Sequence, residues 1–148
     1  MKLSSKSRYG LEFLLDLAMN GGGGVPVTLK DVSSRKSLSE KYLWQVVSPL
    51  KAADMVSASP GVKGGYKLAR SPREITLKSV VEAVEGASFQ LGGDEDAAAG
   101  ALSGTTATQA IWSEIGVKVA ALLDSVTLQE IVRRETERVE QWAADFCI

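Results

Sequence analysis

Apolar residues fall at helical spacing from the start of the chain. Tyr9, Phe13, Leu14, Leu17 and Ala18 line one face of a helix predicted over Ser4 to Asn20, with Ser4 or Ser5 as N-cap and Gly21 to Gly24 as terminator. Val25-Pro26-Val27 reads as a short extended piece. Thr28-Leu29-Lys30-Asp31 resembles a capping box with Asp in place of Glu, opening a second helix through about Arg35. After the turn Lys36-Ser37-Leu38, Ser39 is the natural N-cap of a third helix, whose inward face is Leu43, Val46, Val47 and Leu50. Two short helices joined by a tight turn are a helix-turn-helix signal. Pro49 lies inside the third helix, where it removes a backbone hydrogen bond and is expected to kink or tighten the last turn, at a cost of about 3 kcal/mol unless tertiary contacts compensate.

Beyond that helix the pattern changes. Met55-Val56-Ser57-Ala58-Ser59 and Tyr66-Lys67-Leu68-Ala69 can pair as two strands across Pro60-Gly61-Val62-Lys63-Gly64-Gly65, whose glycines supply the turn conformations. A helix-turn-helix followed at once by such a hairpin predicts a winged helix, its recognition helix entering a major groove and its wing lying along backbone or minor groove. Thr76 caps a fourth helix, with Val80, Val81 and Val84 inward and Gly86 ending it. Ala87 to Ala107 is rich in Ala and Gly, with Phe89, Leu91 and Leu102 as its large apolar residues, and reads as a mobile loop. From about Thr108, Ile111, Ile115, Val119 and Leu122 form one stripe on a helix of about five turns. Thr127-Leu128-Gln129-Glu130 is a capping box opening a last helix through about Trp142.

The predicted fold class is therefore mainly α with a small β-hairpin wing: a winged helix-turn-helix DNA-binding domain over 1–85, a flexible sensor-type loop over 86–107, and a dimerisation helix with a C-terminal helix over 108–148. The long amphipathic helix has more apolar face than so small a domain needs. Its economical partner is a second copy, paired through Ile111, Ile115, Val119 and Leu122 about a two-fold axis that spaces two recognition helices for two half-sites. The alternative is that it covers only its own core.

Composition narrows the chemistry. A chain of 148 residues, 45% hydrophobic and 24% charged, can bury a real core, which excludes a disordered tail or a fibre. Its longest apolar runs fall short of the roughly 20 residues that span a bilayer. The start, Met1-Lys2-Leu3-Ser4-Ser5-Lys6, lacks the apolar stretch of a signal peptide, so a cytoplasmic protein is expected. The chain has no histidine and one cysteine, Cys147, which excludes an intrachain disulfide, imidazole-based catalysis and a metal site of several thiolates. Asp94, Glu95 and Asp96 stand among Gly and Ala with nothing apolar beside them to raise a pKa, so no enzyme is expected. The net charge of −1 hides an uneven distribution: residues 1–85 hold 13 basic and 8 acidic side chains, residues 86–148 hold 4 and 10. A basic half is either an electrostatic footprint for nucleic acid or an ordinary solvated surface.

Several segments in order then resemble a known family. They are Met1 to Gly10, Leu38-Ser39 with Tyr42-Leu43 and Gln45, Pro49-Leu50-Lys51-Ala52-Ala53, Gly64 to Arg70, Ile75-Thr76-Leu77, and Ile111-Trp112 followed by Val126-Thr127-Leu128. Over nearly its whole length the chain resembles the Rrf-two family of bacterial winged-helix regulators, the group of IscR, NsrR and CymR. The resemblance implies a homodimeric transcription factor whose long helix pairs across the two-fold axis; for this chain the expected action is that of a repressor. It also implies three cysteines in the preceding loop that hold an iron-sulfur cluster. This chain departs there: Ala87 to Ala107 contains no cysteine, so no cofactor is expected. The signal is then a small molecule, a protein partner, or none.

The expected base-reading residues are Lys41, Tyr42, Trp44 and Gln45, with Gln45 able to pair bidentately with adenine and Lys41 to reach guanine or phosphate. Trp44 either covers a thymine methyl or packs on the protein's own surface. Lys2, Lys6, Arg8, Tyr9, Ser39, Lys51, Lys63 and Lys67 are expected at phosphates, setting register without reading sequence. Pro60 stands where the family wing often has arginine, which leaves Lys63 as the basic residue of the tip. Cys147, with nothing basic beside it, reads as incidental. The expected partners are a double-stranded DNA operator, a second copy, and a protein or small-molecule effector, with no membrane. Two other readings stay open: an interaction module docking a metabolic enzyme or sensor, and a small-molecule pocket between the loop and the first helix, lined by Phe89 and Trp112.

Overall fold

The computed structural model describes residues 4–86 and 106–147. Helix α1 (Ser5–Asn20) is capped by Ser4, whose hydroxyl accepts from the Lys6 amide, and it ends at Gly21. A short 3-10 turn over Gly22–Gly24 follows. Helix α2 (Leu29–Lys36) starts at Thr28, whose hydroxyl accepts from the Asp31 amide and donates to the Asp31 carboxylate at 2.7 Å. The turn into α3 (Glu40–Ala52) places Ser37 in the left-handed region at φ 52° and is held by the Ser33 hydroxyl, which donates to the Leu38 carbonyl.

Helix α3 runs on past Pro49 for a further three residues. Proline removes the N–H that would bond to the carbonyl of Gln45, and Gln45 is exposed, so water can satisfy that carbonyl. Strands β1 (Val56–Ser59) and β2 (Gly65–Leu68) form an antiparallel hairpin in which Val56 pairs with Leu68 and Ser59 with Gly65. The extended piece at Val25-Pro26-Val27 joins the hairpin: Val27 exchanges both backbone hydrogen bonds with Tyr66, at 2.9 and 2.8 Å.

Helix α4 (Leu77–Glu85) opens with a full capping box in which Ser79 answers Thr76, and Gly86 ends it at φ 66°. Helix α5 (Ala107–Ser125) opens with a second full box, Thr106 with Gln109. Helix α6 (Leu128–Phe146) has only half of the box its sequence suggests. The Thr127 hydroxyl accepts from the Glu130 amide, but the Glu130 carboxylate turns to Arg133 and Arg134, whose hydrogen bonds pull its pKa down to about 2. The last helix also runs one turn beyond Trp142, to Phe146. A bridge between Thr76 and Thr127 ties the starts of α4 and α6 together.

The core sits around α1. Phe13, Leu14 and Leu17 are buried against Val32 of α2, Leu43, Val47 and Leu50 of α3, Met55, Val56, Ile75, Val80 and Leu128. Gly10 permits a close approach: a Cβ there would lie 3.2 Å from Val84 of α4 and 3.9 Å from Leu50 and Val46 of α3. Helix α1 is thus wedged between the recognition helix and α4. Asp16, a charge on the inward face, is 1% exposed and receives Arg35 of α2 through two hydrogen bonds, at 3.0 and 2.6 Å, with Asn20 adding a third at 3.2 Å. This pair ties α2 to α1.

Candidate nucleic-acid interface

Four inward residues of α3, Leu43, Val46, Val47 and Leu50, are all buried, as their spacing predicts. Burying that stripe turns Lys41, Tyr42, Trp44 and Gln45 outward, and all four are exposed. Trp44 is 60% exposed, so its indole does not pack away into the protein; it edges a depression of about 210 Å³ shared with Val47, Ser48, Lys51 and Tyr66. That depression brings Lys51, at the end of α3, next to the base of the hairpin. Ser39 occupies the N-cap position by its backbone alone: its carbonyl accepts from the Tyr42 and Leu43 amides, while its exposed hydroxyl makes no capping bond. A hydroxyl in that position can donate to a phosphate oxygen at the helix N-terminus.

The start of α1 adds to this surface. Tyr9 stacks on Tyr42 with ring centroids 5.7 Å apart and planes 23° from parallel. The Arg8 guanidinium lies 5.8 Å from the Tyr9 ring centre. Arg8, Tyr9 and Tyr42 therefore form one ladder from α1 to the recognition helix, and Lys6 is exposed in the same first turn. Lys63 is exposed at the tip of the hairpin, beside Val62, whose side chain is fully solvated. Lys67 is half-buried on β2 opposite Ser57, on the strand face away from Tyr66, whose ring meets Phe13 of the core edge-on at 5.9 Å. Lys2 lies outside the described residues, as does nearly all of the loop predicted over Ala87 to Ala107, with Phe89. Trp112, the other residue expected in a loop-side pocket, stands exposed on α5.

Periodicity alone missed the polar contacts that hold this surface in place. Glu85, at the end of α4, accepts hydrogen bonds from the hydroxyls of Ser4 and Ser7 on one carboxylate oxygen. Burial pushes its carboxyl up, but those two hydroxyls, the Ser4 backbone and the Lys6 charge together bring it below the ordinary 4.5. Asp16 and Glu85 each carry a sequence signal, a charge on a face otherwise apolar: Asp16 follows Phe13 by three residues, and Glu85 follows Val81 by four.

On α5 the predicted stripe faces outward. Ile111, Ile115 and Leu122 are 57%, 43% and 66% exposed and Val119 is half-buried, whereas Gly116 and Leu123 are the residues turned to the core. In the single chain this stripe covers little of its own core. Helix α6 likewise leaves Val139, Trp142 and Phe146 exposed. Among the described residues, no helix is long and apolar enough to cross a membrane.

A winged helix with this order of elements matches known proteins over most of the chain. Residues 3–134 match the Rrf2 family, described as iron-dependent transcriptional regulators. The chain belongs to the Rrf2 family. It is 34% identical over 133 residues to protein rrf2 of Nitratidesulfovibrio vulgaris, covering 90% of this chain and 88% of that one. Its fold is similar to the solved structure of CymR, the global cysteine regulator of B. subtilis, with a TM-score of 0.75 and 34% identity over 90% of this chain and 98% of that one. It is also similar to T. potens IscR, with a TM-score of 0.76 and 31% identity over 93% and 90% of the two chains. Like these Rrf2 relatives, the protein is a DNA-binding transcriptional regulator and not an enzyme.

Proposed function

We infer that the protein is a homodimeric, cytoplasmic repressor that reads a two-fold operator and works without an iron-sulfur cluster. The observation that carries this reading is the outward face of α3: Lys41, Tyr42, Trp44 and Gln45 are exposed together on a helix fixed by four buried aliphatic residues. Gln45 reads adenine and Lys41 guanine or phosphate, while Tyr42 and Trp44 meet base edges and thymine methyls. Lys2, Lys6, Arg8, Tyr9, Ser39, Lys51, Lys63 and Lys67 neutralise and hydrogen-bond phosphates, which sets register. Residues 1–85 serve as the DNA-binding unit and 108–148 as the pairing unit, with 86–107 between them.

The exposed stripe of α5 supports the dimer. Ile111, Ile115, Val119 and Leu122 lose water only if something covers them, and a second copy presents the same stripe. Repression needs nothing beyond occupancy, because a dimer seated on an operator excludes polymerase by bulk.

The family description is iron-dependent, yet the donor set does not fit a cluster. Clusters are held by several thiolates, or by thiolates with histidine, and this chain has no histidine and a single cysteine, exposed at the end of α6. Among the described residues no three His, Cys, Asp or Glu side chains are grouped to hold a metal.

The test is selection of genomic fragments by the purified protein, followed by titration of the selected fragment and of random DNA over a range of salt. A palindromic fragment bound about a thousandfold more tightly than random DNA is expected. Weak binding, steep in salt and indifferent to sequence, would leave only the phosphate interaction and overturn the reading.

A further inference from the structure

The end of α4 and the start of α1 are joined by a contact that no apolar packing requires. The Ser4 hydroxyl accepts from the Lys6 amide as N-cap and donates to Glu85, so one group caps the helix and ties it to another. The Ser7 hydroxyl, 4% exposed, donates to the same Glu85 oxygen. A half-buried carboxylate thus sits at the N-terminus of α1, where the helix dipole and the nearby Lys6 charge both favour it. The next residue after Glu85 is Gly86, where α4 ends and the chain leaves for residues 87–105.

The same turn of α1 touches the recognition helix. Tyr9 follows Ser7 by two residues and stacks on Tyr42 of α3. Gly10 follows it, and the space a side chain would fill there is taken by Val84 on one side and by Val46 and Leu50 on the other. The first turns of α1 are therefore clamped by hydrogen bonds to α4 and stacked on α3, with no loose element between. A shift of α4 relative to α1 must either break the Ser4 and Ser7 bonds or carry Tyr9 with it.

We propose that Glu85 is a positioning residue for DNA binding: by holding Ser4 and Ser7 it sets the Tyr9–Tyr42 stack and so the pose of the outward face of α3, making the end of α4 a control point for operator affinity. This rests on the DNA-reading face proposed above. Glu85 itself touches no DNA. Its removal takes no Lys or Arg off the DNA-facing surface, so the slope of affinity against salt is expected to stay as it was.

The experiment is a double-mutant cycle on the selected operator and on random DNA, with Glu85→Ala, Tyr9→Ala, the pair of them, and Glu85→Gln. Because both hydroxyls converge on one oxygen, the amide carbonyl of Glu85→Gln can accept both, so this variant is expected to keep most of the affinity. Glu85→Ala is expected to weaken operator binding about tenfold with an unchanged salt slope, and the double variant to bind no worse than Tyr9→Ala alone. Effects of Glu85→Ala and Tyr9→Ala that multiply would overturn the proposal, and so would a Glu85→Ala protein that melts earlier but binds the operator as the parent does. If Glu85→Ala does not fold, Ser7→Ala removes one of the two bonds while leaving the Ser4 cap and the carboxylate in place, and the cycle is read on that variant. Failure of the parent protein to select any operator is a different result, and it counts against the DNA-reading face itself.

Discussion

Replacing Arg35 with alanine isolates Asp16 of α1, the one deeply buried charge among the described residues. Asp16 is 1% exposed and Arg35 is its cationic partner, with hydrogen bonds at 3.0 and 2.6 Å, so Arg35→Ala leaves a carboxylate inside the core with only Asn20 to satisfy it. Breaking a fully buried pair from one side costs about 3–5 kcal/mol. The Arg35 side chain is itself 41% exposed, so water can enter where it stood, which brings the expected loss to about 2–3 kcal/mol. For a chain of this length that is a fall in Tm of roughly 5–10 °C. Urea unfolding followed by circular dichroism at fixed protein concentration measures it, since a dimer would otherwise make the midpoint depend on concentration. Two internal checks apply. The loss should survive in about 1 M salt, because a buried pair is little screened. In a cycle with Asp16→Ala the double variant should lose less than the two single losses added, because the stranded charge is gone. A loss below about 0.5 kcal/mol, or strict additivity, would refute the idea that this pair fixes α2 on α1.

Four further outcomes are expected. Lys6→Ala and Lys63→Ala should each weaken binding on all DNA alike and lower the salt slope by about one, whereas Gln45→Ala should relax specificity at one base step by about 1–3 kcal/mol; equal effects on specific and random DNA from all three would contradict that division. Ile115→Glu with Leu122→Glu should convert the sedimenting species to a monomer while circular dichroism shows the same helix content, and an unchanged dimer would remove α5 from the interface. Gly65→Ala should cost about 2 kcal/mol, because φ is 153° there and the new Cβ would come 2.6 Å from the Val27 carbonyl oxygen; a neutral effect in thermal melting would mean that the Val27–Tyr66 bridge shifts freely. Glu85 is held below its ordinary 4.5, so it binds fewer protons folded than unfolded as pH falls through that region. Its contribution is complete above about pH 4.5 and fades below it, so the stability gap between parent and Glu85→Ala should close in acid titration.

Much of the fold was legible in the sequence because its causes are local. The buried faces of α1 and α3 follow from apolar spacing alone, and the caps at Ser4, Thr28, Thr76 and Thr127 follow from one hydroxyl placed before each apolar run. The hairpin follows from a cluster of glycines between two short strands. Where the reading erred, a competing local partner decided. Glu130 stands at the right spacing to close a capping box, but Arg133 and Arg134 lie one turn away and take its carboxylate. The last helix outruns Trp142 because nothing after it breaks a helix, and Trp142 then stacks with Phe146 at 4.9 Å.

The sequence by itself determined which segments are helical, which stripe of α3 is buried and therefore which of its residues face outward, because both follow from a period of 3.6 and the removal of apolar surface from water. Only the tertiary structure decided which distant residues meet. Asp16 and Arg35 are 19 residues apart and Ser7 and Glu85 are 78 apart, and no periodicity pairs them. Their meeting depends on how closely α1 approaches α2 and α4, which a missing side chain at Gly10 and the packing of Phe13 and Leu14 set together. The stripe on α5 shows the same division. Its spacing announces an apolar face, but whether that face turns to the chain's own core or to solvent depends on where α4 and α6 leave room, and they leave it only for Gly116 and Leu123.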